Sequence, residues 1–355
     1  MPFYHHDDEE RYPHAADVLE RQRAENGFAS GWAMHQKPVP DYFFDVHLHY
    51  GGPKDRTLPE RIRSSMSAWE AQEAIRAMVI LNIYGEKQDC LVPAYTENEW
   101  FPWFTIERAL ELLGDLPDDD RFFWSAWIDH RQPDAELVLA AADAGARGIK
   151  LHNAPVIESN APCDLWLSGE WRKVFDTIGE RKLPVLFHVT QRLPGSAYTG
   201  GGRNTYWTKG WENGVTYGNE DLLQAFLTCC RKHTDVSFIG AHQLHIGWER
   251  LDGLFDVYPN LFVDTTIGCT LRLYDEFYPH DKEYLREIYI KRADRILFGT
   301  DCVWGGDQEK TKTNETSLLE HKRFITSLDL PGEVLNLICH GNAERLYRIE
   351  PPLVT

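Results

Sequence analysis

The chain has 355 residues with 43% hydrophobic and 26% charged side chains, which is the composition of an ordinary soluble globular protein able to bury a large core. Its net charge of −18 argues against nucleic-acid or anionic-membrane partners, because both select basic surfaces, and says little about a substrate. No apolar run approaches the roughly 18–20 residues of a membrane span, and the acidic N-terminus is unlike a secretory signal. Seven cysteines without a Cys-x-x-Cys pair predict reduced thiols and a cytoplasmic location.

Residues 1–40 differ in pattern from the rest of the chain. Residues 14–24 have helix-forming composition with only a thin apolar stripe, and Pro38 and Pro40 then interrupt the chain. We interpret 1–40 as an N-terminal arm that lies on the body or on a neighbouring subunit, with a partly disordered tail as the alternative. The domain itself is expected over residues 41–355.

From residue 41, short apolar runs alternate with longer stretches of helical character. The predicted strands are Phe43–Val46, Ala77–Ile83, Phe122–Ile128, Gly148–Leu151, Val185–His188, Val236–Gly240, Leu261–Asp264 and Ile296–Gly299. The predicted helices are Pro59–Ala74, Glu97–Leu113, Pro133–Ala144, Leu165–Arg181, Asn219–His233, Trp248–Val257, Asp281–Ala293, Ser317–Ser327 and Gly332–His340. Eight strand–helix units predict an α/β fold, a closed (β/α)₈ TIM barrel with C-terminal helices. An open doubly wound sheet is the alternative, but the sequence has no Gly-rich phosphate loop.

Two predicted loops, 84–97 and 189–217, are much longer than the others. Both follow strands, so they belong to the face of a barrel that carries active sites. Long loops there usually form lids or set specificity.

The first predicted strand ends in two histidines, His47 and His49, directly before Gly51-Gly52-Pro53. Residues i and i+2 of a strand point to the same side, so both imidazoles can reach one point. Imidazole is the commonest protein ligand for a transition metal, although a hydrogen-bonded core histidine is an equally simple interpretation of either residue alone.

Four further predicted strands end in an imidazole, an amine or a carboxylate. In chain order, these side chains are Lys150 and His152, then His188, then His242 and His245, and finally Asp301. Neutral imidazoles with a carboxylate suit a divalent ion such as Zn²⁺, Mn²⁺, Fe²⁺ or Co²⁺, which lowers the pKa of a bound water toward ~7. Asp301 could then both hold the metal and accept the proton of that water. Lys150 could bind the substrate, pair in the core, or react with CO₂ to give a carbamate that bridges two metals.

In this order, the residues resemble the amidohydrolase superfamily, and more narrowly its amidohydrolase-related branch, which includes aminocarboxymuconate-semialdehyde decarboxylase. The resemblance covers about residues 42–348 and is carried by four stretches: 45–49, 145–152, 298–301 and 341–347. It implies a metal-dependent TIM barrel. It further implies that His47, His49, His188 and Asp301 bind a first metal, and that His242 is a second-metal ligand or a general acid/base.

The resemblance also matches Lys150 to the lysine that is carboxylated in two-metal members. Two features depart from the family pattern. His245 competes with His242 after the sixth strand, and His152 shares a face with Lys150 after the fourth. Zinc is the first expectation for the metal, iron or manganese the alternatives, with one or two ions per chain.

The resemblance leaves four functions open. The first is a metal-dependent hydrolase of a C–N or C–O bond in a small carbonyl or carboxylate compound, with Asp301 and His242 as catalytic residues. A non-oxidative decarboxylase is the second, and the lysine at position 150 is unusual for it. The third is a dinuclear iron or manganese oxygenase. The fourth is a metal-binding subunit of a heteromeric enzyme. A homo- or hetero-oligomer is a family-level expectation.

Substrate contacts are predicted from position alone. Arg192 and Arg203, in the long loop after the fifth strand, could bind a carboxylate through two parallel hydrogen bonds. His245 and Trp304, each close to a predicted metal ligand, complete the predicted substrate-binding set. An exposed arginine or a packing tryptophan is the structural alternative for these positions.

Overall fold

The structure is a computed structural model that describes residues 40–50, 74–85, 103–114, 120–189, 206–266, 281–304 and 321–352. Within these ranges, ten strands form one sheet in which neighbouring strands run parallel. In chain order the strands are β1 (Phe43–Tyr50), β2 (Ala74–Ile83), β3 (Trp103–Phe104), β4 (Phe122–Ile128), β5 (Gly148–His152), β6 (Val185–His188), β7 (Phe238–Gly240), β8 (Leu261–Asp264), β9 (Ile296–Leu297) and β10 (Cys302–Trp304).

The sheet closes on itself through a broken eighth strand. β9 pairs with β8, and β10 pairs with β1, so the two short strands are halves of one strand that passes from one neighbour to the other. Between them, Val46 N donates to Phe298 O at 3.0 Å and Asp301 N donates to His47 O at 2.7 Å. With β3 as a side branch on β2, the result is a nearly closed barrel of eight parallel strands, which confirms the predicted fold.

Helices cover the outside of the barrel. Their bounds are Ile106–Leu113, Ala135–Asp143, Ala154–Glu158, Gly169–Arg181, Tyr206–Glu212, Asn219–Lys232, Trp248–Val257, Asp281–Lys291, 321–327, Gly332–Asn336 and Asn342–Tyr347. Side-chain caps fix several of their starts, because Thr105, Asp134 and Ser168 each accept a hydrogen bond from a backbone N–H of the first turn. The strands are buried almost throughout, as expected for a parallel sheet covered by helices.

Three predicted helices differ from the observed ones. Trp103–Phe104 lie within the helix predicted over Glu97–Leu113 but form a strand on β2, and a helix follows at Ile106–Leu113, while residues 97–102 lie outside the described ranges. Ser168 divides the helix predicted over Leu165–Arg181, because its side chain caps a new helix that starts at Gly169. The helix predicted over Gly332–His340 widens into a π-helical turn over Leu337–Gly341 and continues to Tyr347.

Some predictions fall on residues outside the described ranges. These are the N-terminal arm, most of the helix predicted over Pro59–Ala74, and most of the long loops 84–97 and 189–217. Within the described part of the chain, no helix is long and apolar enough to cross a bilayer.

Gly148, the first residue of β5, provides a test of barrel packing. A Cβ atom there would lie 2.8 Å from Tyr347 Cε1, 2.9 Å from Ser125 Oγ and 3.1 Å from the Pro184 carbonyl oxygen. We expect Gly148→Ala to lower the free energy of unfolding by about 1–3 kcal/mol, because the neighbouring strands must move apart. Urea unfolding measures the change.

Gly253 is the matched control for this substitution. It is exposed in the middle of the helix Trp248–Val257, and nothing lies within 4 Å of the added methyl group. Gly253→Ala should therefore raise the free energy of unfolding by up to ~1 kcal/mol through helix propensity. Equal effects at the two sites would contradict the packing argument.

Candidate metal centre

Three potential metal ligands meet at the C-terminal ends of β1 and the broken eighth strand. His47 Nε2 lies 3.2 Å from His49 Nε2, and Asp301 Oδ1 lies 3.2 Å from His47 Nε2 and 3.3 Å from His49 Nε2. Within the described ranges, these side chains are the group of three that could hold an ion together. The structure thus unites two neighbouring histidines with a carboxylate more than 250 positions away, as the strand-end pattern predicted.

The backbone of Asp301 explains how the carboxylate reaches the histidines. Asp301 has a left-handed conformation, with φ of 55°, at the break between β9 and β10. Asp is one of the residues that tolerate this conformation. Because the bend ends the pairing with β8 and starts the pairing with β1, it brings the side chain over the end of β1.

Both histidines are held in the neutral state that a metal ligand requires. Burial is the main cause, and it lowers the pKa of His47 below its usual value and that of His49 to about 3. The positive charge of Lys150 acts in the same direction on both rings, whereas Asp301 partly opposes the shift. Neutral imidazole is the ligating form of histidine.

The dimensions of this group fit a divalent ion. Nitrogen and oxygen ligands lie about 2.0–2.1 Å from a tetrahedral Zn²⁺, which separates neighbouring ligand atoms by about 3.3 Å. The three observed separations of 3.2–3.3 Å match that value. Any divalent ion with similar bond lengths would fit as well, so the geometry supports a divalent metal without selecting zinc.

Lys150 lies directly against this group. Its side chain is fully buried, and its Nζ is 2.9 Å from His47 Nε2, the same nitrogen that faces His49 and Asp301. The lysine predicted as a carbamate or a substrate-binding cation is therefore in the centre. Its role stays a prediction.

The remaining predicted histidines line the same end of the barrel. Six aromatic side chains form a closed circuit in which each ring centroid lies 4.0–5.6 Å from the next. In order they are His47, His49, Trp127, His152, His188 and His242. His242 Nε2 is 3.8 Å from Asp301 Oδ2. The roles of His188 and His242 as ligands stay predictions.

One side of the circuit is a flat stack of three rings. His152 lies parallel to His188, with centroids 4.0 Å apart, and nearly parallel to Trp127 at 5.3 Å. Its Nδ1 accepts a hydrogen bond from Ala154 N at 2.9 Å, which leaves Nε2 to carry the proton in the neutral ring. His152 and Lys150 thus share the interior face of β5, as their spacing predicted.

A left-handed turn carries His242 and His245. Residues 242–245 have φ values of 51–58°, and the rings of His242 and His245 stack 4.9 Å apart. Such a conformation costs about 1–2 kcal/mol per residue, so tertiary contacts must hold it. The Gln243 amide supplies some of them, because it donates to the carbonyl oxygens of Asp264 and Thr266.

Asp45 stabilises the metal centre, a role that the sequence analysis did not predict. It accepts hydrogen bonds from His47 N at 3.0 Å, Thr300 N at 3.1 Å and Thr300 Oγ1 at 2.5 Å, and thereby joins β1 to the segment before Asp301. Burial nevertheless raises its pKa to about 7.

Sequence reasoning also missed Asp264 and Trp127. Asp264 Oδ2 lies 2.7 Å from His47 Nδ1, and Trp127 belongs to the ring circuit. The available signal was position, because Trp127 and Asp264 lie at the C-terminal ends of β4 and β8, where barrel enzymes place functional residues.

The predicted substrate contacts are described only in part. Arg192 and Arg203 lie outside the described residues. Trp304 lies in β10 opposite Tyr50, and its side chain is likewise outside the description. His245 is buried beside His242, near the centre.

Comparison with solved structures finds the same fold in several enzymes. The chain is similar to 5-carboxyvanillate decarboxylase from Sphingomonas paucimobilis, with 10% identity, coverage of 87% of this chain and 99% of the other, and a TM-score of 0.52. A 5-carboxyvanillate decarboxylase from Novosphingobium aromaticivorans, crystallised with manganese and a nitrobenzoic acid, is 11% identical, with coverage of 89% of this chain and 100% of the other and a TM-score of 0.50. Dihydroorotase from Campylobacter jejuni is 15% identical, with coverage of 90% of this chain and 87% of the other and a TM-score of 0.50. No curated protein matches the sequence significantly.

These likenesses show the fold, and the family follows from the sequence itself. The model of the family described as Amidohydrolase matches residues 44–349, which span the whole barrel and all of the strand-end residues above. This chain therefore belongs to the amidohydrolase family of metal-dependent enzymes.

Proposed function

We propose that the protein is a metal-dependent hydrolase that cleaves a C–N or C–O bond in a small carbonyl or carboxylate compound. One observation carries the proposal: Asp301 directs Oδ1 to His47 and His49, while its Oδ2 lies 3.8 Å from His242 Nε2. One oxygen of this carboxylate is therefore placed to bind the metal, and the other is placed to accept a proton. His47, His49 and Asp301 would hold the ion.

A divalent ion at this position supplies an acidified water and polarises a carbonyl oxygen. In the proposed hydrolysis, Asp301 Oδ2 accepts a proton from the water as the water oxygen bonds to the carbonyl carbon. The C–N or C–O bond then breaks, and the leaving nitrogen or oxygen takes that proton, with His242 beside Asp301 to assist the transfer. Water is consumed, and no oxidant or reductant is needed.

Lys150 gives the site its affinity for negative charge. Its ammonium is fully buried beside His47, in a region where a charge interaction is screened little. We infer that it binds an anionic oxygen of the substrate, either a carboxylate or the oxygen on which charge develops during the reaction.

Decarboxylation is the second candidate, and the stack of Trp127, His152 and His188 favours it. Three nearly parallel rings form a flat wall beside a buried cation, which suits a planar aromatic carboxylate. Two of the similar structures are decarboxylases of this substrate type. In that reaction the C–C bond to the carboxylate breaks, CO₂ leaves, and the ring carbon takes a proton from His242 or another group of the site.

Metal removal tests the proposed function. Protein purified without added metal is analysed for its elements, then dialysed against a chelator and assayed on cyclic amides, lactones and aromatic carboxylic acids. We expect the chelated protein to lose nearly all turnover and to regain it with about one equivalent of Zn²⁺ or Mn²⁺ per chain.

Product analysis separates the candidates. Ring opening or ester cleavage without gas release supports hydrolysis, and CO₂ release under nitrogen supports decarboxylation. Turnover that persists after complete metal removal would contradict both, and O₂ consumption with iron bound would replace them with an oxygenase.

A further inference from the structure

Asp264, the last residue of β8, makes contacts that reach two different parts of the metal centre. Its carboxylate is completely buried, and its Oδ2 lies 2.7 Å from His47 Nδ1. The other oxygen, Oδ1, accepts hydrogen bonds from His242 N at 2.8 Å and from Thr266 N at 3.2 Å. One side chain therefore contacts a ring from β1 and the backbone of the left-handed turn after β7.

The contact with His47 determines which ring nitrogen carries the proton. An ionised carboxylate can only accept, so His47 must carry hydrogen on Nδ1 to make this bond. In the neutral ring the lone pair is then on Nε2. That nitrogen faces His49, Asp301 and Lys150, and Lys150 Nζ lies 2.9 Å from it, as expected for an ammonium donating to a lone pair.

The contact with His242 N stabilises the turn. The first of four left-handed residues receives a fixed hydrogen-bond acceptor, and the Gln243 amide donates to the carbonyl oxygen of the same Asp264. Asp264 thus holds the start of the turn through its side chain and its backbone.

Packing leaves the carboxylate little freedom to move. A Cβ atom on Gly299 would lie 3.2 Å from Asp264 Cβ, 3.1 Å from His47 Cβ and 3.0 Å from Thr266 Oγ1. The broken eighth strand therefore approaches so closely that a side chain at position 299 would push these neighbours apart, and it packs against the pair of Asp264 and His47.

We propose that Asp264 is a positioning residue that fixes His47 as the Nδ1–H tautomer and holds the turn that carries His242. The Nε2 lone pair of His47 is thereby preset toward the metal position before any ion binds. The metal-affinity consequence rests on the proposed function, whereas the tautomer of His47 does not.

The test is Asp264→Asn, which keeps the shape and removes the charge. The amide oxygen should stay with the backbone N–H groups of His242 and Thr266, since both need an acceptor. The amide NH₂ then faces His47 Nδ1 and places the hydrogen on Nε2, from which it must be displaced before a metal binds. We expect the Kd for Zn²⁺, measured by competition with a chromophoric chelator, to rise about 10–100-fold.

Nitrogen NMR of the metal-free protein with ¹⁵N-labelled histidine reports the tautomer of His47, which would not change if Asp264 only stabilised the fold. We expect His47 in the unsubstituted protein to be the Nδ1–H tautomer, and in Asp264→Asn the Nε2–H tautomer. An Nε2–H ring in the unsubstituted protein overturns the proposal, even if the variant fails to fold.

Asp129→Asn is the matched control. Asp129 is an equally buried carboxylate that lies 3.0 Å from a histidine Nδ1, but that ring belongs to His130, which is outside the metal centre. Its replacement should leave the His47 tautomer unchanged and the Kd within about threefold. If Asp264→Asn also leaves the His47 tautomer and the Kd for Zn²⁺ unchanged, Asp264 has no positioning role. If the tautomer changes in Asp264→Asn while the unsubstituted protein binds no metal, the proposed function fails and the positioning role stands.

Discussion

An Asp301→Asn variant should lose the bound metal and slow turnover by about 10²–10⁴-fold, the usual contribution of a positioned proton acceptor. The carboxylate oxygen that lies 3.2–3.3 Å from both histidine nitrogens becomes part of a neutral amide, so the site loses its negative charge. The backbone should be undisturbed, because Asn tolerates the left-handed conformation of residue 301 as well as Asp does. Elemental analysis and turnover on the identified substrate measure the two effects.

Asp329→Asn is the control for this substitution. Asp329 has the same backbone φ of 55° and is exposed after the helix 321–327, where its carbonyl oxygen accepts a hydrogen bond from Arg286 Nε. Its replacement should change neither metal content nor turnover. An Asp301→Asn protein with full metal content and full activity would show that Asp301 is neither a ligand nor the proton acceptor.

The barrel was predictable because its strands are nearly continuous apolar runs bounded by turn residues. Phe122–Ile128, Val185–His188 and Leu261–Asp264 are observed with the predicted bounds. The eighth strand was less predictable. It was expected over Ile296–Gly299 but ends at Leu297 and resumes at Cys302, because its hydrogen bonds pass from β8 to β1.

The meeting of His47, His49 and Asp301 was predictable for a related reason. Once the strands are known to be parallel in one barrel, residues that follow them must gather at one end, whatever their separation in sequence. The sequence could not show which of Lys150 and His152 faces the centre. The structure places both on the interior face of β5, with Lys150 at His47 and His152 in the ring stack.

The hydrogen bonds that hold His47 and the turn of His242 could not be predicted from sequence patterns. Four consecutive left-handed residues that are not glycine are rarely stable, so nothing in Ala241–Ile246 predicts the turn that presents His242. Its stability comes from Asp264, more than twenty positions later, and the partner of the same carboxylate, His47, lies 217 positions earlier. Such bonds depend on the closed barrel and have no local signature.

Replacing Lys150 by methionine should strengthen metal binding and weaken catalysis, a combination that few other substitutions at this site would produce. The positive charge of Lys150 lowers the pKa of His47 and His49, so it opposes any further positive charge at these rings, including that of a metal ion. Two unit charges about 4 Å apart interact by about 4 kcal/mol at an effective dielectric constant of 20. We therefore expect the Kd for Zn²⁺ to fall at least ~10-fold.

Turnover of Lys150→Met should nevertheless fall about 10²–10³-fold, because the buried cation for the substrate's anionic oxygen is gone. Lys322→Met is the control, since Lys322 is also a buried lysine but packs against Phe43, 5.0 Å from its ring, instead of a histidine of the centre. The opposite result is equally informative. If Lys150→Met binds less metal than the unsubstituted protein, the lysine contributes a ligand, as a carbamate between two ions would, and the centre is dinuclear.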